Sequence, residues 1–142
     1  MPMTYQEEQL LMSLAGRAAI GDLTARLNRA QDTGDANAWL SGFLPEGELL
    51  APGHDPVRGH SSLLAYFRSL PPGRVHLSAD SVINVVGVTG RQDCQFIVLA
   101  PASAGAGLTV EAISRQRDEL VYERGEWYLT KREVLPLELE GG

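Results

Sequence analysis

The chain has 142 residues, 44% of them hydrophobic and 21% charged, with a formal net charge of −6. That length and balance suit one compact domain spanning 1–142 and exclude an intrinsically disordered chain. The acidic balance, with Lys131 as the sole lysine, disfavours nucleic acid and anionic membranes, and the single Cys94 excludes an intramolecular disulfide.

Glu7 and Glu8 precede a short apolar patch and no basic n-region comes before them, so the N-terminus does not read as a signal peptide. A cytoplasmic, reducing environment is the expectation. Thr4 and Glu7 have the spacing of a capping box, which opens a first helix. A second helical stretch carries Ile20, Leu23, Leu27 and Ala30 and should end at Thr33-Gly34. Asp35 then caps a short third helix with Trp39, Leu40 and Phe43. Residues 48–51 form a short strand closed by Pro52-Gly53, and 59–70 form a helix stopped by Pro71-Pro72-Gly73.

From Arg74 the chain turns β-rich. Val75-His76-Leu77 starts this half, and 81–88, 94–100, 108–122 and 127–137 are the further strand candidates. Thr89-Gly90, residues 102–107 and Glu123-Arg124-Gly125 should separate them. Helices followed by an antiparallel meander define an α+β class. The length of 108–122 fits a bent strand in a strongly curved sheet, whose concave face the N-terminal helices can cover.

No phosphate loop, nucleophile elbow or dinucleotide fingerprint is present, and the three histidines, His54, His60 and His76, lack metal-site spacing. No metal and no cofactor are therefore expected. His60 and His54 read as locally bonded or solvated, and Cys94 as a small packing residue. His76 lies between Val75 and Leu77 at the start of a strand, where an imidazole needs a partner. It is either a half-buried ring bonded to a carbonyl or a general base oriented by a carboxylate.

Several segments resemble SnoaL-like (nuclear transport factor 2-like) proteins. They are Arg17-Ala18-Ala19-Ile20-Gly21-Asp22-Leu23, the run from Ala30 to Asp35, Arg58-Gly59-His60 leading to Tyr66-Phe67, and Val75-His76-Leu77-Ser78. The tail 115–132, with Asp118, Tyr122, Gly125 and Trp127, is similar to that family's final hairpin. The resemblance implies a cone-shaped α+β barrel, its helices packed on a curved antiparallel sheet around a pocket. One branch contains scytalone dehydratase, bile-acid 7α-dehydratase and hexachlorocyclohexane dehydrochlorinase, and it uses an Asp–His dyad. Asp32 and His76 match its positions, with the histidine taking a proton from carbon and the aspartate fixing its tautomer. Gln31 stands where scytalone dehydratase has tyrosine, and that enzyme's second histidine has no counterpart between Arg91 and Ala100.

Regular continuation of the apolar helical face from Ile20 takes in Gln31 more readily than Asp32, so a role for Asp32 requires a helix end near Thr33-Gly34. Trp39, Phe43, Tyr66 and Phe67 are the candidates for lining the cavity or filling the core. Arg115, Arg117 and Asp118 are candidates for polarising a substrate, with cross-strand salt bridging as the other reading of both arginines, and strand alternation puts Arg115 and Arg117 on one face and Asp118 on the other.

The leading expectation is a cofactor-independent lyase (dehydratase-like) or isomerase acting on a hydrophobic small molecule. The alternatives are a non-catalytic β-subunit-like structural protein of an aromatic-ring-hydroxylating dioxygenase, since the run from Trp127 to Leu137 resembles the end of such β subunits, or a ligand-binding module. The outer face of an open curved sheet needs covering, so a homodimer or homotrimer is expected.

Overall fold

The computed structural model describes residues 1–137. The first helix, α1, runs unbroken over Tyr5–Thr33. The two helices expected in this region are therefore one, since no proline interrupts residues 5–33 and Gly16 and Gly21 only weaken helix propensity locally. Thr4 accepts from the Glu7 amide while Glu7 reaches back to the Thr4 amide, completing the capping box. At the other end Gly34 adopts φ +73°, and its amide bonds to the Gln31 carbonyl. Asp35 caps the short α2, Ala36–Leu40.

Phe43 is not helical. It begins β1, Phe43–Leu50, which starts earlier than expected and runs through Pro45. The two-residue β2, Val57–Arg58, pairs with it, and α3 follows over His60–Ser69. The meander comprises β3 (Val75–Val86), β4 (Thr89–Pro101), β5 (Leu108–Glu123) and β6 (Glu126–Pro136). The β3–β4 turn lies at Gly87-Val88 instead of Thr89-Gly90. Gly87 supplies the positive φ of 59° that the turn needs, leaving Gly90 inside a strand.

The six strands form one sheet in the order β2-β1-β6-β5-β4-β3, antiparallel except for β1 against β6. The result is an α+β cone in which the helices pack on a curved sheet. Register shifts interrupt β3–β4, β4–β5, β5–β6 and β1–β6, and such bulges bend a sheet that would otherwise stay flatter.

The apolar core combines Ile20, Leu23, Leu27 and Ala30 of α1 with Trp39, Phe43, Leu63, Phe67, Leu120 and Leu129. The rings of Phe43 and Phe67 lie 4.8 and 5.1 Å from that of Trp39. Gly90 lets α1 seat on the sheet, because a Cβ there would lie 2.8 Å from Ile20 Cδ1 and 3.2 Å from the Trp127 ring. Ile20 is fully buried, and the Trp127 ring borders the same spot. Gly90→Val is therefore expected to cost about 1–3 kcal/mol, read from urea unfolding.

Candidate active site

Thr24, Asn28 and Asp32 recur every four residues along α1 and so share one helical face. Each bonds to a different residue of the sheet. The Gln92 amide donates to Thr24 Oγ1 at 2.7 Å, Asn28 Nδ2 donates to Ser78 Oγ at 3.0 Å, and Asp32 Oδ1 meets His76 Nδ1 at 2.8 Å. Four helical residues advance about 6 Å and two strand residues about 6.6 Å, so Asn28 and Asp32 match the spacing of Ser78 and His76. The dyad is thus the last rung of a ladder that holds α1 against β3 and β4.

Asp32 Oδ1 also accepts from the backbone amide of His76 at 2.8 Å. A carboxylate oxygen only accepts, so the ring proton between the two side chains resides on Nδ1, and in the neutral tautomer that this selects the lone pair is on Nε2. The His76 side chain is 10% exposed and that of Asp32 27%. The imidazole is stacked beside Phe96, with centroids 5.8 Å apart and planes inclined by 23°. An oriented, mostly shielded imidazole with a free Nε2 has the geometry of a general base.

Two hollows meet at this pair. One, of about 350 Å³, runs between α1 and the edge strand β3 and is bordered by Thr24, Asn28, Asp32, His76, Ser78 and Gln92. The other, of about 440 Å³, lies toward Gln31, Gly34, Phe67, Leu70 and Gly73, with Asp32 and His76 again in its wall. A bulge between Ala79 and Val82 in β3 adjoins the first hollow, and Asp80 there takes φ +52°. An aspartate tolerates that left-handed conformation better than most residues.

Beneath the first hollow lies a buried polar floor. Asp118 accepts from Arg132 Nε at 2.9 Å and Nη2 at 3.1 Å, and from the amides of Gln92 and Gln116 at 3.0 and 3.2 Å. Four donors surround a carboxylate that has no side-chain exposure, which satisfies its charge without water. Gln92 joins this floor to the ladder. Cys94 sits beside it at 2% exposure, and burial, followed by the Asp118 charge, pushes its thiol up. Ellman's reagent is accordingly expected to label Cys94 in the folded protein at least ~100-fold more slowly than in urea.

The structure brings Asp32 and His76 together and gives the other candidates different surroundings. Trp39 and Phe43 lie in the core, 1% and 2% exposed, and Phe67 joins that core while also bordering the second hollow. Tyr66 stacks beside Trp39 at 6.5 Å and meets the His54 ring edge-on at 5.7 Å. Asp118 is inside the cone but fully engaged by its donors. Arg115 projects from the outer face of the sheet, where it bonds to Asp93 at 3.1 Å, on the side away from the dyad. His60 Nε2 donates to the Phe43 carbonyl at 2.9 Å and ties α3 to β1.

The sequence reading assigned no role of their own to Asn28, Ser78, Gln92 and Arg132. For the first of these a signal existed, namely a polar residue every fourth position from Thr24 on an otherwise apolar helix face.

A helix-covered curved sheet with polar side chains set into its inner wall defines the nuclear transport factor 2-like class. The SnoaL-like domain model matches residues 12–133, and the chain belongs to that family. An NTF2-like protein with a cystatin-like fold from Novosphingobium aromaticivorans superposes with a TM-score of 0.84 at 23% identity, over 99% of this chain and 92% of that one. A candidate aromatic ring hydroxylase from the same organism gives 0.76 at 20% identity, over 89% and 92% of the two chains. A Catenulispora acidiphila protein solved in complex with S-DNPA gives 0.73 at 26% identity, over 85% and 94%. No curated protein sequence matches the chain significantly. Among the described residues, no helix is long and apolar enough to cross a membrane.

Proposed function

We propose that the protein is a cofactor-independent lyase of the dehydratase type, or an isomerase, that removes a proton from carbon in a hydrophobic small molecule. The observation that carries this reading is the double hold of Asp32 Oδ1 on His76, through Nδ1 and through the backbone amide, both at 2.8 Å. Substrate bound in the adjoining hollow would present its acidic C–H to Nε2. As the proton arrives, the Asp32 carboxylate stabilises the imidazolium against the apolar surroundings. Loss of a leaving group from the neighbouring carbon, or return of the proton elsewhere, then completes an elimination or an isomerisation. The Catenulispora protein's complex with S-DNPA is in keeping with ligand binding in this family.

Proton abstraction can be tested before the natural substrate is known. Metal-free protein is incubated in D₂O with a panel of aromatic ketones and hydroxyketones, and deuterium uptake at the carbon next to the carbonyl is followed by NMR. Uptake above the buffer rate supports the reading. The alternative of a structural subunit for a ring-hydroxylating dioxygenase instead predicts no uptake and co-purification with a larger Rieske-type subunit.

A further inference from the structure

One atom of the Gln92 side chain is left over by the contacts that hold it. The residue is 3% exposed, and its side chain reaches inward from β4 to border the hollow that Asp32 and His76 also border. Its Nε2 donates to Thr24 Oγ1 at 2.7 Å and to Asp118 Oδ2 at 3.0 Å. The Thr24 hydroxyl gives its own proton to the Ile20 carbonyl at 3.0 Å, and a carboxylate only accepts. Both contacts therefore require the NH₂ group, which fixes the orientation of the amide and makes Oε1 its remaining atom. Among the described residues no donor bonds to Oε1. The buried acceptors that lack a partner and are also sealed from any small molecule are Asn28 Oδ1 and Gln116 Oε1. Gln92 Oε1 is not one of these, so it keeps surface open to the hollow.

We propose that Gln92 determines substrate specificity by accepting, at Oε1, a hydrogen bond from a hydroxyl group of the substrate. This deepens the reading above and rests on the substrate lying in the hollow beside the dyad. A carbonyl oxygen only accepts, so an ether or ketone oxygen cannot take the place of that hydroxyl. Thr24, which anchors Gln92, and Asp32, which anchors His76, are eight residues apart on α1, about 12 Å along the helix axis. Allowing about 3 Å for contact at each end leaves roughly 6 Å between the hydroxyl oxygen and the carbon that gives up its proton. One aromatic ring with para substituents spans that distance. The ligand class is thus an aromatic ketone whose hydroxyl lies across the ring from the reacting carbon, a size suited to a hollow of about 350 Å³. A ligand of the same shape without the proton leaves a buried acceptor unpaired, a loss of at least about tenfold in affinity.

The test titrates the full chain with 4′-hydroxyacetophenone, 4′-methoxyacetophenone and 2′-hydroxyacetophenone, with binding followed by NMR at a pH that keeps the phenols neutral. Wild type is expected to bind the 4′-hydroxy ketone at least about tenfold tighter than either of the others, because methoxy offers no proton and the 2′-hydroxyl sits beside the carbonyl. Gln92→Met keeps the length of the side chain without an acceptor, and should bring the three affinities within about twofold of one another. In wild type the side-chain carbonyl carbon of Gln92 should shift downfield with the 4′-hydroxy ketone and not with its methyl ether, a readout independent of the variant. Equal affinities in wild type, a preference that survives in Gln92→Met, or a Gln92 carbonyl indifferent to the hydroxyl would each overturn the proposal. Binding is read without proton transfer, so the two readings fail separately. Donor preference without deuterium uptake sinks the dyad chemistry alone, and uptake without donor preference sinks the role of Gln92 alone.

Discussion

Replacing His76 by glutamine is expected to lower the D₂O exchange rate, or the turnover of any substrate found, by roughly 10²–10⁴-fold, the contribution typical of a positioned general base. Glutamine keeps a polar side chain near the position of the ring but has no basic nitrogen. Asp32→Asn should produce a loss of similar order for a different reason. Its amide can still accept from the His76 backbone, yet it no longer requires the ring proton to reside on Nδ1, and it carries no charge to stabilise the imidazolium. Because the pair is also a rung between α1 and β3, a thermal melt must accompany each rate. A melting temperature that falls while the rate stays at wild-type level would reduce the pair to a structural pin.

The second large effect concerns the floor of the cone. Arg132→Met leaves the Asp118 carboxylate buried with only two glutamine amides, and removing one member of such a pair costs about 3–5 kcal/mol. Adding Asp118→Asn removes the orphaned charge while keeping an acceptor for Gln92 and Gln116. The double variant is therefore expected to unfold at a higher urea concentration than Arg132→Met alone. A single variant within about 1 kcal/mol of wild type would show that Arg132 is not the partner that makes burial of Asp118 tolerable.

The dyad was legible from residues only with help from resemblance. Spacing along α1 favoured Gln31 for the inner face, whereas Asp32 is reached through the Thr24–Asn28 line, which borders the apolar stripe instead of lying in its centre. The helix end at Gly34, which the sequence did indicate, then leaves Asp32 in the last turn of α1 and beside the start of β3. Arg132 was hidden by a different cause. Simple alternation from Trp127 and Leu129 would turn Lys131 and Glu133 inward, but the bulge opposite Glu119 and Leu120 inserts Thr130 as an extra residue and reverses the phase. Arg132 goes in, and Lys131 goes out to the outer face of the sheet.

Local chemistry alone was enough to settle the class of the molecule. The capping box, the glycine and proline stops and the change of hydrophobic period at Arg74 each act within a few residues, and together they specify helices followed by an antiparallel meander. Which residues face one another was decided by packing across the chain. Asp32 and His76 are 44 positions apart and Asp118 and Arg132 are 14 apart. The first pair depends on how α1 seats against β3 and the second on the bulge in β5–β6, both properties of the assembled layers that no local stretch contains.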